Sequence, residues 1–321
     1  MLKKKATRDG YGEALVELGA TNPRVVVLDA DVSASTKSEM FKKKFPQRFF
    51  NVGVAEQNLF TIAAGLSLTG KIPYASLYGA FLGRGWEQIR VSICYANLNV
   101  KIAGSHGGVL TGADGATHQS LEEIAIMRVL PNMKVIVPCD ALETKKATIA
   151  MAEIEGPCYI RLGREPVPIM TAENKPFRID KAETLKDGSD VAIIACGYMV
   201  YEALQAHEML INNGIRARVI NMHTIKPIDR EIIIQAAKET GAIVTAEEHQ
   251  LMGGLGSAVA EVVVQESPVP IEMVGIHDNF GTSGRPEDLL REFKLKDVNI
   301  VEAAQKVLKR KKGSGKTIRM R

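Results

Sequence analysis

Short β-branched runs alternate along this chain with stretches whose apolar residues recur every three to four positions, the pattern of an α/β protein. Tyr11, Ala14, Leu15 and Leu18 follow the i, i+3, i+4, i+7 spacing and predict a helix over residues 7–19. Strands are predicted at 24–29, 49–54, 72–78, 99–103, 134–137 and 158–162. Helices are predicted at 57–68, 84–95, 121–128 and 142–154. The helix at 57–68 is apolar nearly all round, which predicts burial on every side, and Gly70 is placed to end it.

Residues 163–186 carry Pro166, Pro168 and Pro176 without helical period and read as a crossover. Beyond them the alternation resumes. Strands are predicted at 191–196, 216–220, 242–246 and 271–275, helices at 200–212 and 229–239, and a loop and helix over 253–266. The expected organisation is a first domain over 1–170, a linker over 171–188, a second α/β domain over 189–312 and a basic flexible tail over 313–321. Each domain is expected to be a mostly parallel sheet flanked by helices. No internal repeat of 20 to 50 residues is seen.

Composition narrows the partners. The 321 residues are 45% hydrophobic and 24% charged, ordinary for a globular chain with two cores. No apolar run nears the roughly 18 residues that cross a bilayer, so no membrane is expected. Met1 to Lys5 has no apolar segment behind its charges, so no secretory signal is read and a cytoplasmic location is expected. Cys94, Cys139, Cys158 and Cys196 are far apart and are expected to be buried free thiols, not a metal site. The net charge of +4 resides in the tail. Eight basic residues and no acidic one follow Ala303, leaving 33 basic against 37 acidic elsewhere. The expectation is a solvated, frayed end; no aromatics interleave the charges, so nucleic acid is not expected.

Polar groups just past strand ends are the candidate chemistry, because open parallel sheets bind ligands there. Asp29, Asp31 and Ser35 follow the first strand. Glu56 follows the second, at the mouth of an apolar helix, where a carboxylate either caps the helix or has a dedicated partner. Tyr78 and Phe81 end the third. After the fourth, His106 and His118 bracket Asp114 and several glycines. That loop reads either as a proton-transfer and hydroxyl-binding cluster or as a structural turn, and its spacing suits a metal poorly. Arg8 and Arg164 are surface ion-pair residues by default and acquire a role only if the substrate is anionic. Gly253-Gly-Leu-Gly256 lacks the third glycine of a dinucleotide loop, since Val259 stands there, and reads as a tight strand–helix turn. No P-loop, zincin or serine-hydrolase motif is present.

Gly53-Val-Ala-Glu56, Gly112-Ala-Asp-Gly-Ala-Thr-His-Gln119 and Pro131-Asn-Met-Lys-Val-Ile-Val-Pro-Cys-Asp140 together resemble the C-terminal portion of transketolases, above all the free-standing C-terminal subunit of the split enzymes. The resemblance implies a pyrimidine-binding domain followed by a C-terminal domain. It implies thiamine diphosphate as cofactor, with Glu56 hydrogen-bonding the aminopyrimidine, Phe81 stacked on that ring, Tyr78 beside it and Asp31 at the cofactor site. Glu56 would share a proton with the ring, whose imine form generates the ylid that attacks a ketose carbonyl. Arg8, Ser35, His106, Asp114, His118 and Arg164 are implied substrate contacts, and Glu56, His118 and His106 the catalytic set. Arg84 stands where several transketolases carry an aromatic cofactor contact.

The family holds the diphosphate and its divalent metal, Mg2+ or Ca2+, on a separate N-terminal domain through a G-D-G motif. Here Gly112 to Gly115 belong to the substrate loop. The implied protein moves a two-carbon ketol unit from a ketose phosphate to an aldose phosphate once joined by an N-terminal subunit. The implied assembly is a heterotetramer built on a dimer of these chains through both domains. The alternative is a partner resembling 1-deoxyxylulose-5-phosphate synthase or a 2-oxo-acid dehydrogenase beta subunit, using pyruvate.

Overall fold

The computed structural model describes residues 3–314, with side chains through Lys312. The strands are β1 (Lys4–Ala6), β2 (Val25–Asp29), β3 (Phe49–Asn51), β4 (Ile72–Tyr78), β5 (Lys101–Ser105), β6 (Lys134–Ile136), β7 (Cys158–Arg161) and β8 (Pro166–Pro168) in the first half. The second half adds β9 (Glu183–Lys186), β10 (Val191–Ala195), β11 (Ala217–Asn221), β12 (Thr224–Lys226), β13 (Ile243–Gln250) and β14 (Ile271–Ile276). One sheet runs β12-β6-β7-β5-β4-β2-β3 and another β14-β13-β10-β11-β9, while β1 and β8 form a two-stranded ribbon. The seven-stranded sheet is parallel apart from β12, which lies antiparallel to β6. In the five-stranded sheet only β9 is antiparallel.

A parallel sheet must be covered on both faces, and the strand sequences supply the apolar surface for that. Every position of β2, β5 and β10 is buried. Helix Glu56–Leu68 packs Leu59, Phe60, Ala63 and Ala64 on one face of the large sheet. Helices Thr7–Thr21 and Ala141–Ala152 cover the other, around Tyr11, Tyr74 and Ile160. Each fully buried ring or branched side chain contributes about 1.5–3 kcal/mol. The cores of the two halves are continuous: Val109, Leu110 and Leu121 from the first half cluster with Val191, Met199 and Leu290 from the second.

Several expectations change. Helix Glu56–Leu68 is not buried all round; Gln57, Asn58, Thr61 and Gly65 are exposed, and Leu68 is 74% exposed. A high apolar count hid the fact that only one stripe meets the sheet. The helix expected over 84–95 starts as a 3-10 turn, Gly79–Gly85, followed by Trp86–Gln88 and a π-helical segment, Ile89–Tyr95. Gly85 allows that tight turn to sit against the neighbouring helix, since a Cβ there would stand 2.5 Å from Phe60 Cδ2. The segment 163–186 holds β8 and β9, which were not foreseen, and β12 joins the first sheet from the second half.

The basic end is no frayed segment as far as it is described. Helix Asp297–Ser314 packs on the second sheet, with Lys306 and Arg310 on Glu272, and Lys311 on the carbonyls of Asp190 and Thr240. The side chains of the expected tail, 313–321, lie outside the described residues. All four cysteines are free and buried. Among the described residues no helix is long and apolar enough to cross a membrane.

Candidate active site at the strand ends

Five neighbouring strands of the large sheet, in the order β7-β5-β4-β2-β3, deliver the candidate residues from their carboxyl ends. Arg164 follows β7, His106 follows β5, Tyr78 ends β4, Asp31 and Ser35 follow β2, and Glu56 comes after β3. Register makes the central contact direct: Tyr78 pairs with Ser105, so the next residue, His106, meets the Tyr78 ring at 4.2 Å between centroids. Tyr78 also touches Phe81 at 5.6 Å and His118 at 5.5 Å, and Phe81 touches His118 at 5.5 Å, all edge to face.

Local chemistry explains why the chain turns as it does. Asp29, fully buried, accepts from the Val32 amide at 2.6 Å and from the Thr36 and Ser38 hydroxyls at 3.0 and 2.8 Å. That fixes the turn bearing Asp31 and Ser35. Asp31 itself is exposed at φ 63° and accepts from Asn51 Nδ2 at 2.8 Å. His106 also has a positive φ, 64°, a strained conformation for a non-glycine residue. Ser105 Oγ, 2.9 Å from His106 Nδ1, and the Thr111 hydroxyl, which donates to His106 O at 2.9 Å, hold it there.

Two ends of the site differ in character. At one end the Glu56 side chain is 7% exposed and accepts from Arg84 Nη1 at 3.0 Å, while the Arg84 guanidinium lies 4.3 Å over the Phe81 ring. Glu56 therefore has a dedicated partner, and no side-chain cap bond marks the start of its helix. Arg84, which departs from the family's aromatic, thus lays a flat, hydrogen-bond-donating group over Phe81 and against Glu56. The aminopyrimidine of thiamine diphosphate is likewise flat and can share a proton with a carboxyl through its ring nitrogen, so the residues fit it.

At the other end Asp114 Oδ1 lies 3.2 Å from Arg164 Nη1, which also donates to Thr111 O at 2.6 Å. Arg8 Nη1 donates to Ser35 O at 2.9 Å, while its buried Nε has no partner. The β1–β8 ribbon and the Gly163 amide, which donates to Thr7 Oγ1 at 2.6 Å, bring Arg8 beside Arg164. The result is an unpartnered guanidinium donor beside a second arginine.

Electrostatics separate His106 from an ordinary surface histidine. Burial, then the cations Arg8 and Arg164 and then His118, push His106 down to about 3. Its Nε2 lies 3.9 Å from Asp114 Oδ2, so at neutral pH this is a contact of a neutral imidazole with a carboxylate rather than an ion pair. His118 Nδ1 lies 2.9 Å from Thr117 Oγ1.

The structure thus gathers Tyr78, Phe81, His106, Asp114, His118 and Arg164, with Glu56 joined through Arg84 and Arg8 through Ser35 and the arginine pair. Asp31 sits on the rim with Asn51. Ser105, Thr111 and Asn51 were not singled out from the sequence, and short polar residues beside a motif carry no signal of their own. The turn at Gly253–Gly256 is a packing turn, as expected: Leu255 and Gly256 amides, which a phosphate would need, donate to the buried Glu247 carboxylate at 2.6 and 2.8 Å. Among the described residues no group of three or more His, Cys, Asp or Glu is arranged to hold a metal ion.

Comparison with known proteins agrees with this geometry. The transketolase pyrimidine binding domain matches residues 3–169 and the transketolase C-terminal domain matches residues 180–300. A protein described as a transketolase C-terminal section, from Methanocaldococcus jannaschii, is 47% identical over 95% of this chain and 97% of its own length. A 6-deoxy-6-sulfo-D-fructose transketolase subunit from a Clostridium species is 42% identical over 97% of both chains. The solved structure of a split-gene transketolase, described as an inactive beta4 tetramer, superposes with a TM-score of 0.89 at 54% identity, covering 95% of this chain and 98% of that one. The chain belongs to the transketolase family and corresponds to the C-terminal section of its split members.

Proposed function

We propose that this chain is the C-terminal subunit of a thiamine diphosphate-dependent transketolase, completed by an N-terminal subunit that holds the diphosphate and a divalent metal, Mg2+ or Ca2+. The observation that carries the reading is the meeting of the Glu56–Phe81 seat with the His106–Asp114–Arg164 end at one row of strand ends. When bound, the cofactor supplies the electron sink for breaking and making the carbon–carbon bond. Glu56 holds a proton at the ring nitrogen, and Phe81 and Tyr78 fix the ring's plane. His118, which touches both rings, moves protons at the sugar hydroxyls. His106 stays neutral and hydrogen-bonds the sugar, Asp114 accepts from a hydroxyl, and Arg8, Ser35 and Arg164 hold the anionic end. Asp31 lines the cofactor side of the rim.

The near-complete coverage of proteins named as transketolase sections and subunits supports a separate partner, and the inactive tetramer formed by a 54% identical chain supports self-association in its absence. The assembly proposed is a heterotetramer in the cytoplasm, built on a dimer of these chains. The named relatives are transketolase sections and subunits, so the pyruvate-using alternative is set aside.

Reconstitution tests the reading. The chain is mixed with an N-terminal subunit, thiamine diphosphate and Mg2+, and ketol transfer from xylulose 5-phosphate to ribose 5-phosphate is assayed. A sulfonated ketose joins the donor panel because the Clostridium relative is named for one. Turnover by the mixture, and none by either chain alone, is expected. Activity of this chain by itself would overturn the split site.

A further inference from the structure

The loop that carries His106, Asp114 and His118 is anchored from the opposite domain. Glu248, on β13, is 4% exposed and accepts from the Leu110 amide at 2.6 Å. Val109 and Leu110 pack their side chains into the second domain's core. Gly108, at φ 89°, lets the backbone come this close; a Cβ there would lie 2.1 Å from the Glu248 carboxyl carbon. Two lesser ties reinforce the join: Gln119 Nε2 donates to Thr282 O at 2.8 Å and Ser283 Oγ to Ala113 O at 2.7 Å.

The anchor sits one residue from the site. Thr111, next to Leu110, donates through its hydroxyl to His106 O and accepts at its own carbonyl from Arg164. A shift of Leu110 therefore moves His106 and Arg164 together. Arg161 does not take the Glu248 carboxylate as an ion pair: it bonds the Glu123 carboxylate, and its Nη2 donates to Glu248 O at 2.7 Å and Ser120 O at 3.3 Å. The Glu248 carboxyl is left for the loop.

We propose that Glu248 is a positioning residue through which the C-terminal domain sets the geometry of the sugar-binding loop without touching substrate. The inference rests on the proposed function only for its kinetic readout. Burial pushes Glu248 up to about 7, against Arg161 and the loop amides, which lower it, and with Glu123, which raises it; Tyr198 and Cys196 are further titratable neighbours, and Cys139 and Glu165 line the small cavity that Glu248 faces. Opening the loop would return the carboxyl to water and lower its pKa. By linkage the closed loop binds more protons than the open one, so closure weakens as pH rises through about 7. A neutral acceptor of the same shape should close the loop without that dependence.

The test compares wild type, Glu248→Gln and Glu248→Ala in the full chain. Amide hydrogen exchange is followed over residues 106–120, corrected for intrinsic rates, at about pH 6 to 8.5. Expected are protection that falls with pH in wild type, protection that is flat with pH in Glu248→Gln, and loss at every pH in Glu248→Ala, with helix Glu56–Leu68 unchanged. In the complex with the N-terminal subunit, Glu248→Ala should raise the sugar KM roughly ten- to hundred-fold, with Glu248→Gln restoring it. If Glu248→Ala does not fold, the pH dependence of wild type against Glu248→Gln decides alone. Equal exchange in all three proteins would overturn the inference. Altered loop exchange with no turnover by any complex would count against the proposed function and leave the anchor standing.

Discussion

Arg84 Nη1 lies 3.0 Å from Glu56 Oε1, and the same guanidinium covers the face of Phe81. Both contacts are ones that the proposed pyrimidine would use, so on that proposal the arginine moves before a ring enters. The Arg84 side chain is 55% exposed, which screens the pair and limits its strength to about 1 kcal/mol or less. Arg84→Ala is therefore expected to tighten cofactor binding in the complex roughly two- to five-fold. Trp86, the single tryptophan, lies two residues away and donates to Ile126 O at 2.8 Å, so its fluorescence can report the titration. Weaker binding by the variant would mean that Arg84 clamps the ring instead of blocking it.

Glu56→Gln keeps an acceptor and the side chain's shape but cannot share a proton in the same way. Turnover of the reconstituted enzyme is expected to fall roughly 10²–10⁴-fold with little change in melting temperature. Steady-state assays beside a thermal melt separate the two effects, and full activity would remove Glu56 from the mechanism.

His106, held near a pKa of about 3, is neutral throughout the physiological range. It contributes hydrogen bonds there, not charge. His106→Asn should lower kcat/KM roughly ten-fold or more while leaving the limbs of the pH profile between about pH 6 and 8 where they were. A limb that vanishes with this substitution would show that His106 titrates in that range.

Stability should decline above about pH 6.5. Burial raises Glu143 to about 7, Glu247 to about 8 and Glu248 to about 7, all above the range of an unfolded chain. Such groups bind more protons folded than unfolded from about pH 4.5 up to those values, and stability drops as pH rises through the window. Depressed histidines, His106 and His223, work in the opposite sense but only below about pH 6.5, where an unfolded histidine takes up its proton. Urea midpoints at about pH 6.5 and 8 should show the fall, and Glu247→Gln should flatten it.

Lys311 Nζ donates to the carbonyls of Thr240 at 2.6 Å and Asp190 at 3.2 Å, at the carboxyl end of helix Arg230–Thr240. Lys311→Met should cost about 1 kcal/mol in urea unfolding. An unchanged midpoint would mean that Lys311 contributes nothing to the fold.

Many of the strands were legible because buried parallel strands announce themselves as continuous apolar runs; β2, β4 and β10 needed no further information. The candidate residues stood out in the sequence where they sat beside motif glycines or just past a strand. What escaped depended on pairings distant in sequence. Three residues, Thr224–Lys226, join a sheet whose next strand lies almost ninety positions earlier, and no local period encodes that. Arg84 came from a segment read as plain helix, and only the 3-10 turn forced by close packing at Gly85 explains its approach to Glu56. Glu248 offered one sign, adjacent acids inside the apolar strand Ile243–Gln250, but its target loop could not be named without the fold.

The crossing of β12 into the first sheet bears on how this protein can be divided. A fragment ending between residues 171 and 188 would leave β6 without its outer neighbour, exposing a row of unpaired amides and carbonyls beside Val135 and Ile136. Such an edge invites pairing with other chains. Expression of the pyrimidine-binding half alone should therefore yield aggregates, and recombination that exchanges second halves between relatives must carry a compatible edge strand with it.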